Sequence, residues 1–131
     1  MSFAGNLRRF GRETMEKHTK VKRMAALELF GDIIERTPVD TGRLRSNWFA
    51  NVGRGSRETT TATTGATERM RAALAGRLDA DIFFTNNLPY ANRIEFDGHS
   101  RIQAPNGMVR ISVLRWGSIV KKSAKRVARG G

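Results

Sequence analysis

Two histidines, His18 and His99, and one loose group of carboxylates, Asp79, Asp81, Glu95 and Asp97, are the first candidates for acid–base or metal chemistry in this chain. The histidines lie far apart in the sequence and neither sits in a supporting motif. A lone histidine on a helical stripe, as His18 is, is more often packed or solvent-facing than a ligand. His99 follows Gly98 in a turn, a place that suits solvent or an interface. Carboxylates can hold Mg²⁺, but at a strand start and a helix end they more often cap, solvate or pair with arginine. The absence of cysteine excludes disulfides, thiolate metal sites and cysteine nucleophiles, and fits assembly in a reducing cytosol. Gly53-Arg54-Gly55 and Thr63-Thr64-Gly65 lack the Gly-Lys-Ser/Thr that a phosphate loop needs after a strand. No zinc spacing, nucleophile elbow or dinucleotide fingerprint is present. The expectation is a non-enzymatic protein with no cofactor and no metal.

Charge is the property that does stand out. The 131 residues carry a formal charge of +12, and residues 98–131 hold eight basic residues and no acidic one. Two thirds of the excess thus sits on the last quarter of the chain. Such asymmetry points to a polyanionic partner or an acidic protein neighbour. Arg115, Lys121, Lys122, Lys125 and Arg126 are the docking candidates, with Arg8, Arg9 and Arg12 as a second patch. A basic helix can neutralise phosphates with an affinity that falls steeply as salt rises. No base-reading motif accompanies it, and the aromatic residues fall in core stripes rather than between basic residues.

The elements that must position these residues follow from periodicity. Length predicts one domain, residues 1–131. No run of about 18 or more apolar residues is present, and no charged-then-apolar segment of the secretory type opens the chain. Phe3, Leu7, Phe10, Thr14, His18, Val21, Ala25, Leu29 and Ile33 recur in steps of three and four, which predicts one helix over the first 36 residues. Its first 20 residues read as a basic extension with a narrow contact stripe, and Gly11 invites a bend or break. Pro38 ends the helix, because the residue before proline is pushed out of the α region. Residues 44–53 read as a strand, with a helical turn at its start left open. Residues 53–66, rich in threonine and glycine, suit either a hairpin arm or a flexible loop. Residues 67–78 read as a helix capped by Thr67, and Asp81–Asn86 as a strand. Residues 87–97 read as a short helix opened by Pro89. Met108 to about Ala128 reads as an amphipathic basic helix.

Three blocks then carry a family resemblance. Thr37-Pro38-Val39-Asp40-Thr41-Gly42-Arg43-Leu44-Arg45-Ser46 resembles the TPVDTGxLRxS signature of a tailed-phage family of minor tail components, tail completion proteins and neck proteins. Asn87-Leu88-Pro89-Tyr90-Ala91, continuing to Glu95 and Gly98, is similar to its second element. Gln103-Ala104-Pro105-Asn106-Gly107-Met108-Val109-Arg110 is similar to its third. The order and spacing match over residues 33–116.

The resemblance implies a structural virion protein at the junction of head and tail, assembled in the host bacterial cytoplasm as a ring of six or twelve copies. Its partners would be further copies of itself, the portal or connector, and the tail tube or its terminator, with packaged DNA nearby. A tail terminator capping the tube is the alternative within that class, and a basic non-specific nucleic-acid-binding protein is the alternative outside it. The implied fold is α+β: a small antiparallel sheet packed by a long N-terminal helix and a basic C-terminal helix, which agrees with the element list. Pro38, Asp40, Thr41, Gly42 and Leu44 would form a rigid helix-to-strand corner. Tyr90 would pack its ring and bond through its hydroxyl. Glu95, before Gly98, could pair with Arg43 or Arg110, and Ala104, Pro105 and Gly107 would launch the last helix. Fold maintenance is the first role expected of these motif residues. The N-terminal extension and the 53–66 arm are the better candidates for reaching a neighbour.

Overall fold

A computed structural model of the chain describes residues 3–39, 42–89, 91, 109, 112 and 114–130. Among these the fold is α+β. A long helix α1 (Phe3–Arg36) leads into a single helical turn, α2 (Arg43–Ser46), and a strand β1 (Trp48–Val52). Helix α3 (Ala66–Leu74), strand β2 (Ile82–Asn86) and helix α4 (Trp116–Ala128) follow. None of these helices is long and apolar enough to cross a membrane.

The two strands pair antiparallel, with Trp48 opposite Asn86, Ala50 opposite Phe84 and Val52 opposite Ile82. Alternate residues of a strand share a face, so Trp48, Ala50, Val52, Ile82 and Phe84 all meet the core. The core is completed by Phe30, Ile33 and Ile34 of α1 and by Met70 and Leu74 of α3. At its centre the Phe84 ring lies between two others: Phe30 at 4.2 Å and Trp48 at 4.8 Å, inclined by 5° and 9°. Each such stack adds about 0.5–1.5 kcal/mol beyond area burial. Helix α4 packs chiefly against α1, burying Ile119, Ser123 and Val127, which recur every four residues and so share one face.

Several element boundaries differ from the sequence expectation, each for a local reason. Helix α1 runs through Gly11 unbroken; one glycine costs only about 1 kcal/mol in a helix. The strand expected over 44–53 begins only at Trp48, because Gly42 at φ +80° opens a helical turn first. Thr67 lies inside α3, whose N-cap is Gly65. That helix stops at Leu74 rather than 78: the Arg23 guanidinium donates to the carbonyls of Leu74 (2.6 Å) and Gly76 (2.8 Å), satisfying carbonyls a continued helix would have used. The last helix starts at Trp116; of the expected first part, Val109, Ser112, Leu114 and Arg115 alone are described, and Ser112 has helical geometry. Of the helix expected over 87–97, Asn87 and Leu88 are not helical, Pro89 lies in a turn and Ala91 is helical, and Tyr90 and residues 92–97 fall outside the described residues.

Residues 55–62 form neither a hairpin nor any other strand. They are held against the rest of the chain by asparagine amides. Asn47, fully buried, donates to the Thr60 carbonyl (2.9 Å) and accepts from its N–H (2.8 Å), a side-chain imitation of strand pairing. Asn87 donates to the carbonyls of Ser56 and Glu58, both at 2.9 Å. The segment offered as an arm is thus bound to its own chain.

Candidate functional site

The corner between α1 and β1 is built around Thr37, which is 1% exposed. Its hydroxyl donates to the Ile33 carbonyl (2.7 Å) and accepts from the Trp48 indole N–H (2.8 Å). Arg45 donates to the carbonyls of Glu35 (2.9 Å) and Thr37 (3.0 and 3.2 Å), capping the C-terminal end of α1 with a cation. Pro38 and Leu44 are buried. A Cβ on Gly42 would stand 2.5 Å from the Thr63 carbonyl oxygen, so no other residue fits without displacing backbone. The Ser46 hydroxyl lies against the carbonyls of Arg43 and Ala62, and the Asn86 amide donates to the Leu44 carbonyl (2.9 Å). Arg69 completes the cluster, directing its guanidinium to the carbonyls of Ser46 and Trp48 while lying 4.5 Å over the Phe49 ring. Through these contacts the described part of the first motif block binds the chain's own backbone. Asp40, Thr41, Tyr90, Glu95, Gly98, Ala104, Pro105 and Gly107 lie outside the described residues, as does His99.

The basic residues divide into two groups. Arg115 and Lys122, expected to dock a neighbour, bind acids of the same chain. Arg115 reaches Asp32 at 3.1 Å, and Lys122 reaches Glu28 at 2.6 Å. Asp32 also accepts from Arg36 (3.1 Å) and from the Ser112 hydroxyl (2.7 Å). Burial pushes the Asp32 carboxyl upward, but the Ser112 hydrogen bond and the Arg36 and Arg115 guanidiniums outweigh it and hold the group below its ordinary value of 3.8. The α1–α4 contact is therefore an acidic face meeting a basic one. Lys22 is also engaged, donating to the carbonyls of Leu78 (3.1 Å) and Ala80 (2.6 Å). Arg8, Arg9, Arg12, Lys121, Lys125 and Arg126 remain exposed, with no ion-pair partner among the described residues.

Of the carboxylate group, Asp79 and Asp81 alone are described. Asp79 pairs loosely with Arg77 at 3.8 Å, and Asp81 contributes its backbone carbonyl to the Gly53 N–H (2.7 Å). Glu95 and Asp97 lie outside the described residues. Among the described residues no three His, Asp or Glu side chains come together as a metal site would need.

What the periodicity did not reveal is how much apolar surface stays uncovered. The α1 segment 6–18 is exposed throughout, with Leu7 at 55%, Phe10 at 69% and Met15 at 71%. Of the apolar stripe expected to bury the last helix, Trp116 is 41% exposed, Ala124 is exposed and Val120 is half-buried. Together they wall a groove of about 560 Å³ between α1 and α4, whose opposite side is Val21 and Ala25. His18 sits exposed at its edge, together with Lys17 and Lys22. The sequence signal for this surface was an apolar stripe that runs on along α1 beyond the length α4 can cover.

No protein-family model matches this chain, and no curated protein or solved structure matches it either.

Proposed function

We propose that the chain is a non-enzymatic structural subunit of a tailed-phage head–tail junction, assembled through self-association into a ring and joining the portal or connector to the tail. Two things support this. The three motif blocks resemble the tail completion and neck family in order and spacing. The observation that carries the physical side is the projecting half of α1: about four turns of helix bear Leu7, Phe10 and Met15 in the open. An isolated helix of that length is marginal in water, and an exposed apolar stripe on it marks a contact surface. A subunit of an assembly needs such an element; a free monomer does not.

Size-exclusion chromatography with light scattering tests the proposal. A ring is the expected result, alone or on mixing with a portal or tail-tube protein. A monomer that stays monomeric with both and binds duplex DNA tightly at about 150 mM salt, with a steep salt slope, overturns it in favour of a nucleic-acid-binding role. Charge reversal at Lys121 and Lys125 is expected to reduce incorporation into virions. Unchanged incorporation would make these residues a solvated face.

A further inference from the structure

The groove between α1 and α4 does not end where α4 ends. At about 100° per residue, Leu7, Phe10, Thr14, His18, Val21 and Ala25 fall on one face of α1. The bare stripe of the projecting half is therefore continuous with the groove floor formed by Val21 and Ala25. From Leu7 to Ala25 this track is on the order of 27 Å long, the length of a helix of about 18 residues. Its floor is apolar and α4 walls one end of it, so it has the form of two sides of a three-helix contact with the third helix missing.

The charge around the track selects the chemistry of that third helix. No carboxylate lines the groove. Lys17 and Lys22 stand at its α1 edge. On α4, Lys121 lies beside Ala124 and Ala128 at the rim of the groove, Lys125 lies about 100° beyond Ala124 on the solvent face, and Lys122 turns the other way to reach Glu28. Glu13 and Glu16 lie roughly 100° or more round α1 from the centre of the stripe, and α4 has no acidic residue. A second copy offering α4 would bring only cations against these lysines, and the projecting half of its α1 carries more basic than acidic residues. A duplex would meet the cations but leave the apolar floor bare, and a flat bilayer cannot fill a concave track.

We propose that the α1–α4 groove and the α1 stripe running out of it dock one amphipathic helix of a partner protein, apolar on its inner face and acidic along its flanks. This helix-in-groove mode takes affinity from the apolar anchors and specificity from the flanking charges. The head–tail reading is not needed for it: both draw on the Leu7–Phe10 stripe, but light scattering of the free chain reads ring formation and peptide binding reads the groove, so the failure of one is distinguishable from the failure of the other.

The test uses the full chain and four probes: an 18-residue helical peptide with leucine on one face and glutamate on its flanks, the same peptide with lysine flanks, a 20-base-pair duplex, and phosphatidylglycerol vesicles. Trp116 is the reporter, with Trp116→Phe giving the contribution of the buried Trp48. The glutamate peptide is expected to shift Trp116 emission to the blue and to bind at least tenfold more tightly than the lysine peptide. Val120→Glu should weaken it at least tenfold without moving the urea midpoint, and Lys121→Glu with Lys125→Glu should reverse the peptide preference. Equal binding of both peptides, or binding of neither, overturns the proposal. So does a Trp116 shift produced by the duplex or the vesicles instead. Emission already that of a buried indole in the free protein overturns it too, whether a second copy or the chain itself fills the groove.

Discussion

The indole N–H of Trp48 donates to the Thr37 hydroxyl at 2.8 Å, and the same hydroxyl donates to the Ile33 carbonyl at 2.7 Å. One buried oxygen thus ties the last turn of α1 to the first residue of β1. It does so beside the Phe30–Phe84–Trp48 ring stack, so the end of the helix and the edge of the sheet are set by the same residue pair.

Replacing Thr37 by valine keeps the shape and removes both bonds, leaving an indole donor buried without a partner. The expected loss is about 2 kcal/mol or more, read as a lower urea midpoint. Thr37→Ser, which keeps the hydroxyl, should lose distinctly less. Equal stability of the two variants would show that the bonds contribute nothing net.

Asp32 makes the α1–α4 contact depend on pH. Its carboxyl titrates below its ordinary value in the folded chain, so its contribution is fully present above the unfolded value and is lost as pH falls through the folded one. Stability from this source should hold from neutral pH down to about pH 5 and decline below about pH 4. Asp32→Asn should cost roughly 1 kcal/mol at pH 7, where the guanidiniums it meets are half exposed to solvent, and should flatten the acid decline. An acid limb identical in both proteins would place the titrating group elsewhere.

Gly42→Ala tests the corner by backbone geometry alone. The residue sits at φ +80°, and the added Cβ would fall 2.5 Å from the Thr63 carbonyl oxygen. Strain and clash together should cost about 2 kcal/mol or more in thermal or urea unfolding. A change of only a few tenths would mean that the 53–66 segment moves aside without penalty.

Removing residues 1–20 should spare the fold and abolish the self-association proposed above. This truncation leaves Arg23 to hold the end of α3 and Lys22 the link from α3 to β2, and every α1 residue of the core cluster, from Ala26 onward, remains. Circular dichroism and light scattering separate the two effects. An unfolded truncation would show that the extension stabilises the subunit rather than its contacts.

Much of the architecture is legible from periodicity. The long helix, the short strand after Ala80 and the basic last helix each carry a repeat strong enough to survive glycine and threonine interruptions. Boundaries are less legible where distant groups set them. Within 66–78 only Gly76 hints at a stop near Leu74; Arg23, far back in the chain, fixes that end by donating to the Leu74 and Gly76 carbonyls. Asn47 and Asn87 likewise look like ordinary polar residues, yet their amides bind the 53–66 segment to the body.

The sequence by itself determined the element order, the α+β class and the concentration of positive charge at the two ends, because helical and strand periods and residue charge are local properties. Only the tertiary structure decided which charges are free. Packing α4 against α1 brings Arg115 to Asp32 and Lys122 to Glu28, partners some 80 or more positions distant that no local pattern links. The same packing buries Ile119 and Val127 but leaves Trp116 and Ala124 exposed and Val120 half-buried, since one helix can cover only part of another's apolar face. The groove that results is a property of how the two helices meet.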